Sequence, residues 1–392
     1  MRCEVKLGKD GVWYARPYLG VDSHGRQIRP QRSFPKARTR EEAQRMADTW
    51  ADALTADGRV ASALLRDMLD DYVSMREAMG ASPNSVRTWR MFASEYVGRY
   101  MPPSVTADAV RTVDVNRLER RLSEPKDKGG AGLSNATVLG VHYFLRAAFN
   151  HFVDAGVCDA NPVVSAVKPS IGRTDAAVVG EWDFAALDAA LREAMAQAAS
   201  DPASLRAAAC ATAAWLALRT GLRCGEMCAL RRRDVSPMTL TLRVGGTVVE
   251  EKGVAPYRRP RTKSNRPRSV AVTEREMTAV KTLCAAQDAV LGRLSPDSPV
   301  ITDDGRFMRP STLSGAFTEL RKAAGLPKEI KFHSLRHTHA TWWLSCGGDV
   351  KSLSERLGHA DEATTLRYYA HAMPGRDKAS AAVVSEAMER AR

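Results

Sequence analysis

A stretch rich in proline and glycine separates two helical parts of this 392-residue chain. The stretch spans 161–181 and reads NPVVSAVKPSIGRTDAAVVGE, which breaks the three- and four-residue spacing of apolar side chains typical of amphipathic helices. A chain of this length is also too long for one ordinary domain and long enough for two or three. We therefore predict a multidomain, mainly α-helical protein with a linker over 161–180.

The part before the linker shows two kinds of pattern. In 1–56, large and aromatic residues alternate in GVWYARPYLGV, a turn follows, and RQIRPQRSF indicates a second strand. The next segment, TREEAQRMADTWADAL, pairs Thr39 with Glu42 as a capping box and repeats apolar residues on one helix face. Residues 62–160 contain four segments with helical spacing. We expect a small domain of strands plus one helix over 1–56 and a helical domain over 62–160.

The part after the linker, 181–392, is the largest predicted domain. Helical segments flank one strand-like stretch, TLTLRVGGTVVEEKGVAPYRRPRTKSNRPRSVAV. Between Arg258 and Arg268 this stretch holds six basic residues and no acidic one. A hairpin this basic would repel itself unless an anion lies against it. We predict a mixed, mostly helical domain with a small β-sheet and an anionic ligand.

The overall charge also indicates an anionic partner. The formal net charge is +13 and the isoelectric point is near 9.6. Nucleic acid is the commonest polyanionic partner, and a generic basic surface is the alternative. The seven cysteines are scattered and include no Cys-x-x-Cys pair, which favours reduced thiols. Because there is no N-terminal signal pattern and no apolar run of about 18 residues, we expect a soluble, cytoplasmic protein.

Four segments after the linker carry side chains that suit a phosphodiester. They read TGLRCGEMCALRRRDV, RTKSNRPRSV, HSLRHTHATWW and LGHADEATTLRYYAH. Arg223 and Arg336 have guanidinium groups shaped for two phosphate oxygens, and His333 lies one helical turn before Arg336. Taken singly, each residue type is more often structural than functional. The histidines of the third segment lack the glutamate of a His-Glu-x-x-His zinc motif.

Together, and in this order, the four segments resemble the motifs of tyrosine recombinases, the phage-integrase type of site-specific DNA recombinase. They resemble the first arginine box, the strand hairpin that carries a lysine, the His-x-x-Arg box and the Leu-Gly-His segment that leads to the nucleophile. Residues 62–160 resemble the helical core-site-binding domain of the family. Residues 1–56 resemble the small domain that binds arm-type sites in many phage and conjugative-transposon integrases. The resemblance implies an enzyme that integrates or excises a mobile element.

The resemblance implies how the scissile phosphate would be held. Arg223 and Arg336 would bind its non-bridging oxygens, and His359 would donate a hydrogen bond to it. Glu226 matches an acidic position whose role is to orient its surroundings. No metal, ATP or other cofactor is implied, since the arginines supply the charge that a metal ion supplies in nucleases.

The resemblance also implies how protons would move. His333 would help to deprotonate the nucleophile, and Lys263 would protonate the leaving 5′-hydroxyl. Arg261 and Arg266 lie close to Lys263 in sequence, so the assignment of the general acid is less specific than that of the two arginine boxes.

Two adjacent tyrosines compete for the role of nucleophile. Adjacent residues on a helix point about 100° apart, so one site can use only one of them. Helical spacing does not choose between Tyr368 and Tyr369. Family members commonly carry a Tyr-x-His pattern after the Leu-Gly-His segment, and Tyr369 with His371 fits this pattern. The resemblance therefore implies Tyr369 as the nucleophile, which would form a 3′-phosphotyrosyl bond.

The resemblance implies double-stranded DNA, at core and arm-type sites, as the partner. It further implies a tetrameric synaptic complex, with a host bending factor or an excisionase as an accessory protein. The arginines expected to contact DNA are Arg16, Arg26, Arg29, Arg258, Arg259, Arg261 and Arg266. We also expect the arginines at 231–233 to contact the DNA backbone. The amphipathic tail, DKASAAVVSEAMERAR, is expected to dock on a neighbouring protomer.

Two other functions stay open at this point. A type IB topoisomerase-like enzyme would cut and reseal one strand without exchanging partners. A non-catalytic DNA-binding protein could keep the same fold. The N-terminal segment that resembles an arm-binding domain favours the recombinase, because a relaxing enzyme needs no second class of DNA site. The complete set of basic residues and a tyrosine argues against a non-catalytic protein.

Overall fold

The computed structural model describes residues 4–21, 27–52, 54, 63–170, 177–197, 200–251, 253–260, 267–359, 365, 385–386 and 388–390. Two compact units follow one another along the chain, Met1–Arg173 and Thr174–Arg392. Their boundary lies within the stretch that interrupts the helical pattern. Val163 is buried in the core of the first unit, and Val179 is buried in the core of the second. The two ends of this stretch therefore belong to different cores.

The first unit begins with short strands and one helix. These elements are β1 (Val5–Leu7), β2 (Trp13–Ala15), β3 (Gly20–Val21), β4 (Gln27–Ile28), β5 (Arg32–Phe34) and α1 (Arg40–Asp52). An antiparallel sheet has the order β1-β2-β5, and β3 pairs with β4. Phe34 of the sheet meets Trp50 of α1 edge to face, with ring centroids 6.2 Å apart. The Glu42 backbone N–H donates to Thr39 Oγ1 at 3.2 Å, so α1 begins where the capping pattern predicts.

The remainder of the first unit is helical. Its helices are α2 (Leu65–Ala78), α3 (Pro83–Met91), α4 (Gly98–Tyr100), α5 (Thr112–Ser123) and α6 (Asn135–Ala155). A π-helical segment, Phe92–Val97, joins α3 to α4, and single 3₁₀ turns lie at Ala107–Ala109 and Lys126–Lys128. Ser82 and Ser134 cap α3 and α6 through their side chains. The aromatic side chains of α6 form much of the core, as the apolar spacing in the sequence predicts.

The C-terminal end of α6 packs against the strand-and-helix part of the same unit. Gly156 ends α6 with a φ of +83°, in the left-handed region that favours glycine. A side chain at this position would overlap the guanidinium of Arg32 and the indole ring of Trp50. Arg32 also donates to the Val153 carbonyl of α6. Gly156 therefore allows the close approach of β5 and α1 to the end of α6.

We expect Gly156→Ala to destabilise the protein more than Gly80→Ala does. Both glycines are left-handed, with φ of +83° and +84°, so each alanine costs about 1–2 kcal/mol of backbone strain. An added Cβ at Gly80 has no heavy atom within 4 Å, whereas at Gly156 it displaces Arg32 and Trp50. That overpacking should cost about 1–3 kcal/mol more. Urea unfolding of both variants measures the difference, and equal losses would contradict a tightly packed contact at the end of α6.

The second unit is built around one buried helix. Its helices are α7 (Glu181–Ala196), α8 (Pro202–Thr220), α9 (Cys224–Cys228), α10 (Glu274–Leu291), α11 (Pro310–Ala323), α12 (Phe332–Ser345) and α13 (Val350–Leu357), with a 3₁₀ turn at Arg232–Asp234. Helix α8 is alanine-rich and buried on all sides from Ala208 to Leu218, and α7, α10, α11 and α12 pack around it. Small side chains let these neighbours approach closely. The C-terminal end of α8 is therefore held firmly, and the candidate site begins there.

The strand-like stretch forms parts of two separate sheets. Its strands are β7 (Thr241–Val244), β8 (Thr247–Val249), β9 (Tyr257–Arg259) and β10 (Arg268–Ala271), and β6 (Val235–Ser236) lies just before it. One sheet has the order β10-β7-β6, and β8 pairs with β9 in the other. The strands that flank the basic segment, β9 and β10, thus pair with β8 and β7 and not with each other. The expectation of one basic hairpin over Arg258–Arg268 is wrong, because β9 and β10 have different partners.

The protein is mainly helical with small sheets, which confirms the predicted fold class. The predicted domain limits at 56, 62, 160 and 181 stay predictions. Among the helices of the described ranges, none is long and apolar enough to cross a membrane.

Candidate active site

Two arginines that lie far apart in the sequence donate to the same backbone carbonyl. Arg336 Nη2 lies 2.7 Å from the Leu357 carbonyl oxygen, and Arg223 Nη1 lies 3.4 Å from the same atom. Arg336 Nη1 also donates to the Gly221 carbonyl at 2.8 Å, and Arg223 Nη2 lies 3.4 Å from the Gly358 carbonyl. Arg336 is 2% exposed, whereas the Arg223 side chain is 24% exposed. The structure therefore brings the first arginine box and the His-x-x-Arg box together at the end of α13.

Turns at helix ends position these arginines. Gly221 ends α8 with a φ of +69°, and Arg223 is the residue directly before α9. A Cβ on Gly221 would lie 2.6 Å from the Leu357 side chain and 2.9 Å from that of His339. Glycine is required here both by the left-handed backbone and by the close packing. The carbonyl of the same glycine binds Arg336, so the turn holds both arginines.

A buried carboxylate orients Arg223. Glu226 accepts the Arg223 backbone N–H at 3.0 Å and Arg223 Nη1 at 3.0 Å. Arg268 binds both oxygens of the same carboxylate, at 3.0 and 2.8 Å. Burial raises the pKa of Glu226, but the hydrogen bonds and charge of Arg268, followed by those of Arg223, outweigh burial and lower this pKa to about 2. Glu226 is therefore ionised at neutral pH, and its contacts fit the orienting role expected of it.

Two histidines of α12 lie beside Arg336. His333 is exposed in the first turn of α12, and its ring centroid is 4.8 Å from that of His337, with the ring planes at 88°. Burial lowers the pKa of His337 to about 4, and the charges of His333 and Arg336 act in the same direction. His337 is therefore neutral near pH 7. Within the described ranges, no three His, Cys, Asp or Glu side chains gather as ligands for a metal ion.

His359 is presented by the turn that ends α13. It follows Gly358, whose φ is +65°, and its Nδ1 lies 2.7 Å from Thr365 Oγ1. Thr365 is fully buried, at 0% exposure. Burial, followed by the charges of Arg336 and Arg223, lowers the pKa of His359 to about 4. Because Nδ1 is held by Thr365, Nε2 is the nitrogen left for a ligand.

Several predicted site residues lie outside the described residues. They are Lys263, Tyr369, its neighbour Tyr368, Arg26, Arg261 and Arg266. Their roles stay predictions, as does the docking of the tail, of which only 385–386 and 388–390 are described, in helical conformation.

Four of the arginines expected to contact DNA are described. Arg16 and Arg29 are exposed on the strand-and-helix part of the first unit, and the Arg29 guanidinium lies 5.0 Å from the centre of the Tyr18 ring. Arg258 and Arg259 are half-buried on β9, and Arg258 Nε lies 3.2 Å from a carbonyl oxygen of the first arginine box. Contact of these four residues with DNA stays a prediction.

The arginines at 231–233 form ion pairs within the protein. Arg231 Nε lies 2.9 Å from Asp234, and Arg232 Nη1 lies 2.6 Å from Asp288. Their side chains are only 16% and 13% exposed, whereas that of Arg233 is 51% exposed. Arg231 and Arg232 are thus held by Asp234 and Asp288, and contact of the 231–233 run with DNA stays a prediction.

Two residues of the site, Arg268 and Thr365, are missing from the sequence prediction. Arg268 is the last cation of the basic stretch, and only the number of cations there is conspicuous. Thr365 lies in the Leu-Gly-His segment, between His359 and the tyrosine pair, and its buried hydroxyl has no signature in the sequence. Both residues lie in one of the four segments, and this is the signal from which either could have been found.

His339 links the end of α8 to α13 next to the same site. Its Nδ1 lies 3.1 Å from the Leu218 carbonyl, and its Nε2 lies 3.0 Å from Arg356 Nε. Because a carbonyl only accepts and a guanidinium only donates, the ring is neutral with its proton on Nδ1. Burial, followed by the charge of Arg356, lowers the pKa of His339 to about 3. Arg356 also donates to the Arg219 carbonyl at 3.0 Å, which ties α13 to the end of α8.

The fold is similar to that of known multidomain integrases. The chain is similar to the Tn1549 transposon integrase solved with a circular intermediate DNA, with a TM-score of 0.65 and 20% identity, over 84% of this chain and 100% of that chain. It is also similar to a lambda integrase tetramer bound to a Holliday junction, with a TM-score of 0.55 and 16% identity, over 93% of this chain and 94% of that chain.

Sequence comparison gives the family. Residues 187–376 match the phage integrase family. A prophage phiRv2 integrase of Mycobacterium tuberculosis is 32% identical over 42% of this chain and 43% of its own length, so the chain spans less than half of that relative. A XerC-like tyrosine recombinase of Caldanaerobacter subterraneus is 23% identical over 94% of both chains. Residues 187–376 therefore belong to the tyrosine recombinase, or phage integrase, family.

We expect the stability of the second unit to fall as the pH decreases below the ordinary pKa of histidine, about 6.5. In the folded protein the pKa of His339 is about 3, so between these values the unfolded state binds one more proton at this residue. The free energy of unfolding then drops by about 1.4 kcal/mol per pH unit. Urea unfolding at several pH values should show this dependence in the wild type.

The matched variant is His339→Gln. It should lower the free energy of unfolding at pH 7.5, because two hydrogen bonds are weakened, and it should remove about one proton from the pH dependence. A variant with the same pH dependence as the wild type would show that His339 is protonated in the fold.

Proposed function

We propose that this protein is a site-specific DNA recombinase, an integrase that cuts and rejoins DNA through a 3′-phosphotyrosyl intermediate to integrate or excise a mobile element. The observation that carries this proposal is the convergence of Arg223 and Arg336 on the Leu357 carbonyl, beside His359. Two guanidinium groups and a neutral imidazole suit the non-bridging oxygens of a phosphodiester. Membership of the tyrosine recombinase family supports the same function.

In the proposed cleavage step, the Tyr369 hydroxyl oxygen attacks the scissile phosphorus. A bond forms between this oxygen and the phosphorus, which stays attached to the 3′ oxygen of one strand, and the bond to the 5′ oxygen breaks. His333 accepts the tyrosine proton, and Lys263 gives a proton to the 5′ oxygen, which leaves as a hydroxyl. The phosphotyrosyl bond conserves the energy of the phosphodiester. Attack by a 5′-hydroxyl of another strand then rejoins DNA without ATP.

The arginines would act mainly in the transition state. Negative charge builds up on the non-bridging oxygens as the phosphorus becomes pentavalent. Arg336 is held by two main-chain carbonyls, and Arg223 is held by Glu226, so little reorganisation is needed when the charge develops. Removing either guanidinium should raise the barrier by about 3 kcal/mol or more. His359 would add a hydrogen bond to the phosphate from Nε2.

We propose double-stranded DNA as the partner, bound by a tetramer. The net charge of +13 supports a polyanionic partner. The similar Tn1549 integrase was solved with a circular intermediate DNA, and the similar lambda integrase was solved as a tetramer on a Holliday junction. We assign core-site binding to 62–160 and arm-site binding to 1–56. A host bending factor or an excisionase would complete the complex.

A covalent trap tests the cleavage step and the choice of tyrosine. A pool of nicked duplexes with randomised sequence loses a short fragment on cleavage, so the protein stays attached to DNA that can be sequenced. We expect an adduct with the wild type and with Tyr368→Phe, and none with Tyr369→Phe, because only the second change removes the attacking oxygen. Mass spectrometry of the DNA-linked peptide should identify Tyr369.

The same experiment separates the alternatives. An adduct on Tyr368 would overturn the assignment of the nucleophile. No adduct with the wild type would favour the non-catalytic protein. Strand exchange between two duplexes that carry the selected sequence would support the recombinase, whereas relaxation of supercoiled DNA without exchange would favour the topoisomerase-like enzyme.

We also propose that the tail docks on a neighbouring protomer. Its apolar residues recur at helical spacing, at Val383, Val384, Ala387, Met388 and Ala391. A chain that ends at Gly375 should still form the covalent adduct but should form fewer tetrameric complexes on DNA, as measured by light scattering. The full-length variant Glu389→Gln, which changes a polar residue of the tail, is the control. Equal assembly by the shortened chain would contradict the docking.

A further inference from the structure

We infer that Arg268 is a positioning residue of this site: it neutralises Glu226, so that the positive charge of Arg223 stays available to the scissile phosphate. The inference rests on the proposed function and adds to it a residue with no role in the sequence prediction. Arg268 is the first residue of β10 and follows the basic segment that contains Lys263.

The contacts of Arg268 are those of a fixed structural element. Its side chain is 9% exposed, and that of Glu226 is 2% exposed. Nη1 and Nη2 lie 3.0 and 2.8 Å from the two carboxylate oxygens, in a two-point contact that matches the planar guanidinium. The third nitrogen, Nε, donates to the Arg356 carbonyl at 2.6 Å. Arg268 therefore joins β10 to α9 and to α13.

The contact between Arg268 and Glu226 changes the net charge beside Arg223. One oxygen of Glu226 accepts from Arg223 Nη1 and from Arg268 Nη1, both at 3.0 Å. Two guanidinium groups and one carboxylate leave a net charge of +1 (2 − 1). Without Arg268, the carboxylate would cancel the charge of Arg223 and leave a net charge of zero (1 − 1). Because charges act more strongly where water is excluded, this loss should weaken the stabilisation of the transition state.

Arg268 also lies against the turn that presents His359. A Cβ on Gly358 would lie 2.8 Å from Arg268 Nη1, so the guanidinium lies directly beside this part of the backbone. Arg356, whose carbonyl accepts from Arg268, lies in the last turn of α13. The same side chain therefore supports both groups that would flank the phosphate, Arg223 through Glu226 and His359 through the end of α13.

The test measures single-turnover adduct formation by the full chain at saturating DNA, on the nicked duplex selected above. Arg268→Met removes the charge and should slow cleavage by about 10- to 100-fold, by analogy with the loss of a residue that orients a metal ligand. Arg268→Lys keeps the charge but loses the two-point contact, and its rate should fall between those of Arg268→Met and the wild type. DNA binding and thermal unfolding are measured for each variant.

The decisive variant combines Arg268→Met with Glu226→Gln. The amide keeps an oxygen that can accept the Arg223 backbone N–H, and it removes the carboxylate that would otherwise cancel Arg223. We expect this double variant to cleave about tenfold faster than Arg268→Met alone, because the two residues form one network. A purely structural role would not give this recovery, since the second change would only add to the first.

The outcomes are distinct. A wild type that forms no adduct would contradict the proposed function and not this inference. A wild type that cleaves, with Arg268→Met equally fast or with a double variant no faster than Arg268→Met, would overturn the inference. If Arg268→Met does not fold, Arg268→Lys and the double variant decide, because both leave Arg223 uncancelled. Losses of more than about 100-fold in both would then overturn it.

Arg243→Met is the matched control. Arg243 is exposed on β7, the strand that pairs with β10, and the change removes the same charge from the same sheet without touching Glu226. At saturating DNA its rate should equal that of the wild type. A loss as large as that of Arg268→Met would show that the general charge of the sheet matters, and it would overturn the specific pairing.

Discussion

The Leu357 carbonyl oxygen is the atom on which the rest of the site depends. Arg336 donates to it at 2.7 Å, and Arg223 Nη1 lies 3.4 Å from it. The oxygen belongs to the last turn of α13, where carbonyls lack partners inside the helix and carry its partial negative charge. Two cations can share this oxygen although they repel one another. The guanidinium groups thus satisfy a carbonyl at the end of α13, and this shared acceptor keeps them close together.

The charges around this atom explain the state of the neighbouring histidines. Glu226 balances only part of the positive charge. Burial, together with the neighbouring positive charges, lowers the pKa values of His337 and His359 to about 4. Both rings are therefore neutral near pH 7. A neutral imidazole can hydrogen-bond to a phosphate without adding to the repulsion between the arginines. The positive electrostatic potential of the arginines therefore stays available to an incoming anion.

The buried helix α8 makes this arrangement possible. It is surrounded by other helices, so its C-terminal turn at Gly221 is fixed in space. The Gly221 carbonyl binds Arg336, the Arg219 carbonyl binds Arg356, and Arg223 lies directly before α9. Arg223 and His359 thus project from turns and Arg336 projects from α12, while a helix that is buried from Ala208 to Leu218 holds both turns. Because these side chains are fixed before DNA binds, little reorganisation is needed when charge develops on the phosphate.

The sequence by itself determined the helical class, the break between two cores and the residue types of the site, because apolar spacing, helix-ending glycines and the four segments are local properties. The binding of one phosphate by Arg223 and Arg336 is a prediction that rests only on the family resemblance. The carbonyl of Leu357, the pairing of Arg268 with Glu226 and the different partners of β9 and β10 were decided by the tertiary structure alone. A main-chain carbonyl has no signature in residue type, and apolar spacing indicates which face of a helix or strand is buried but not what covers it.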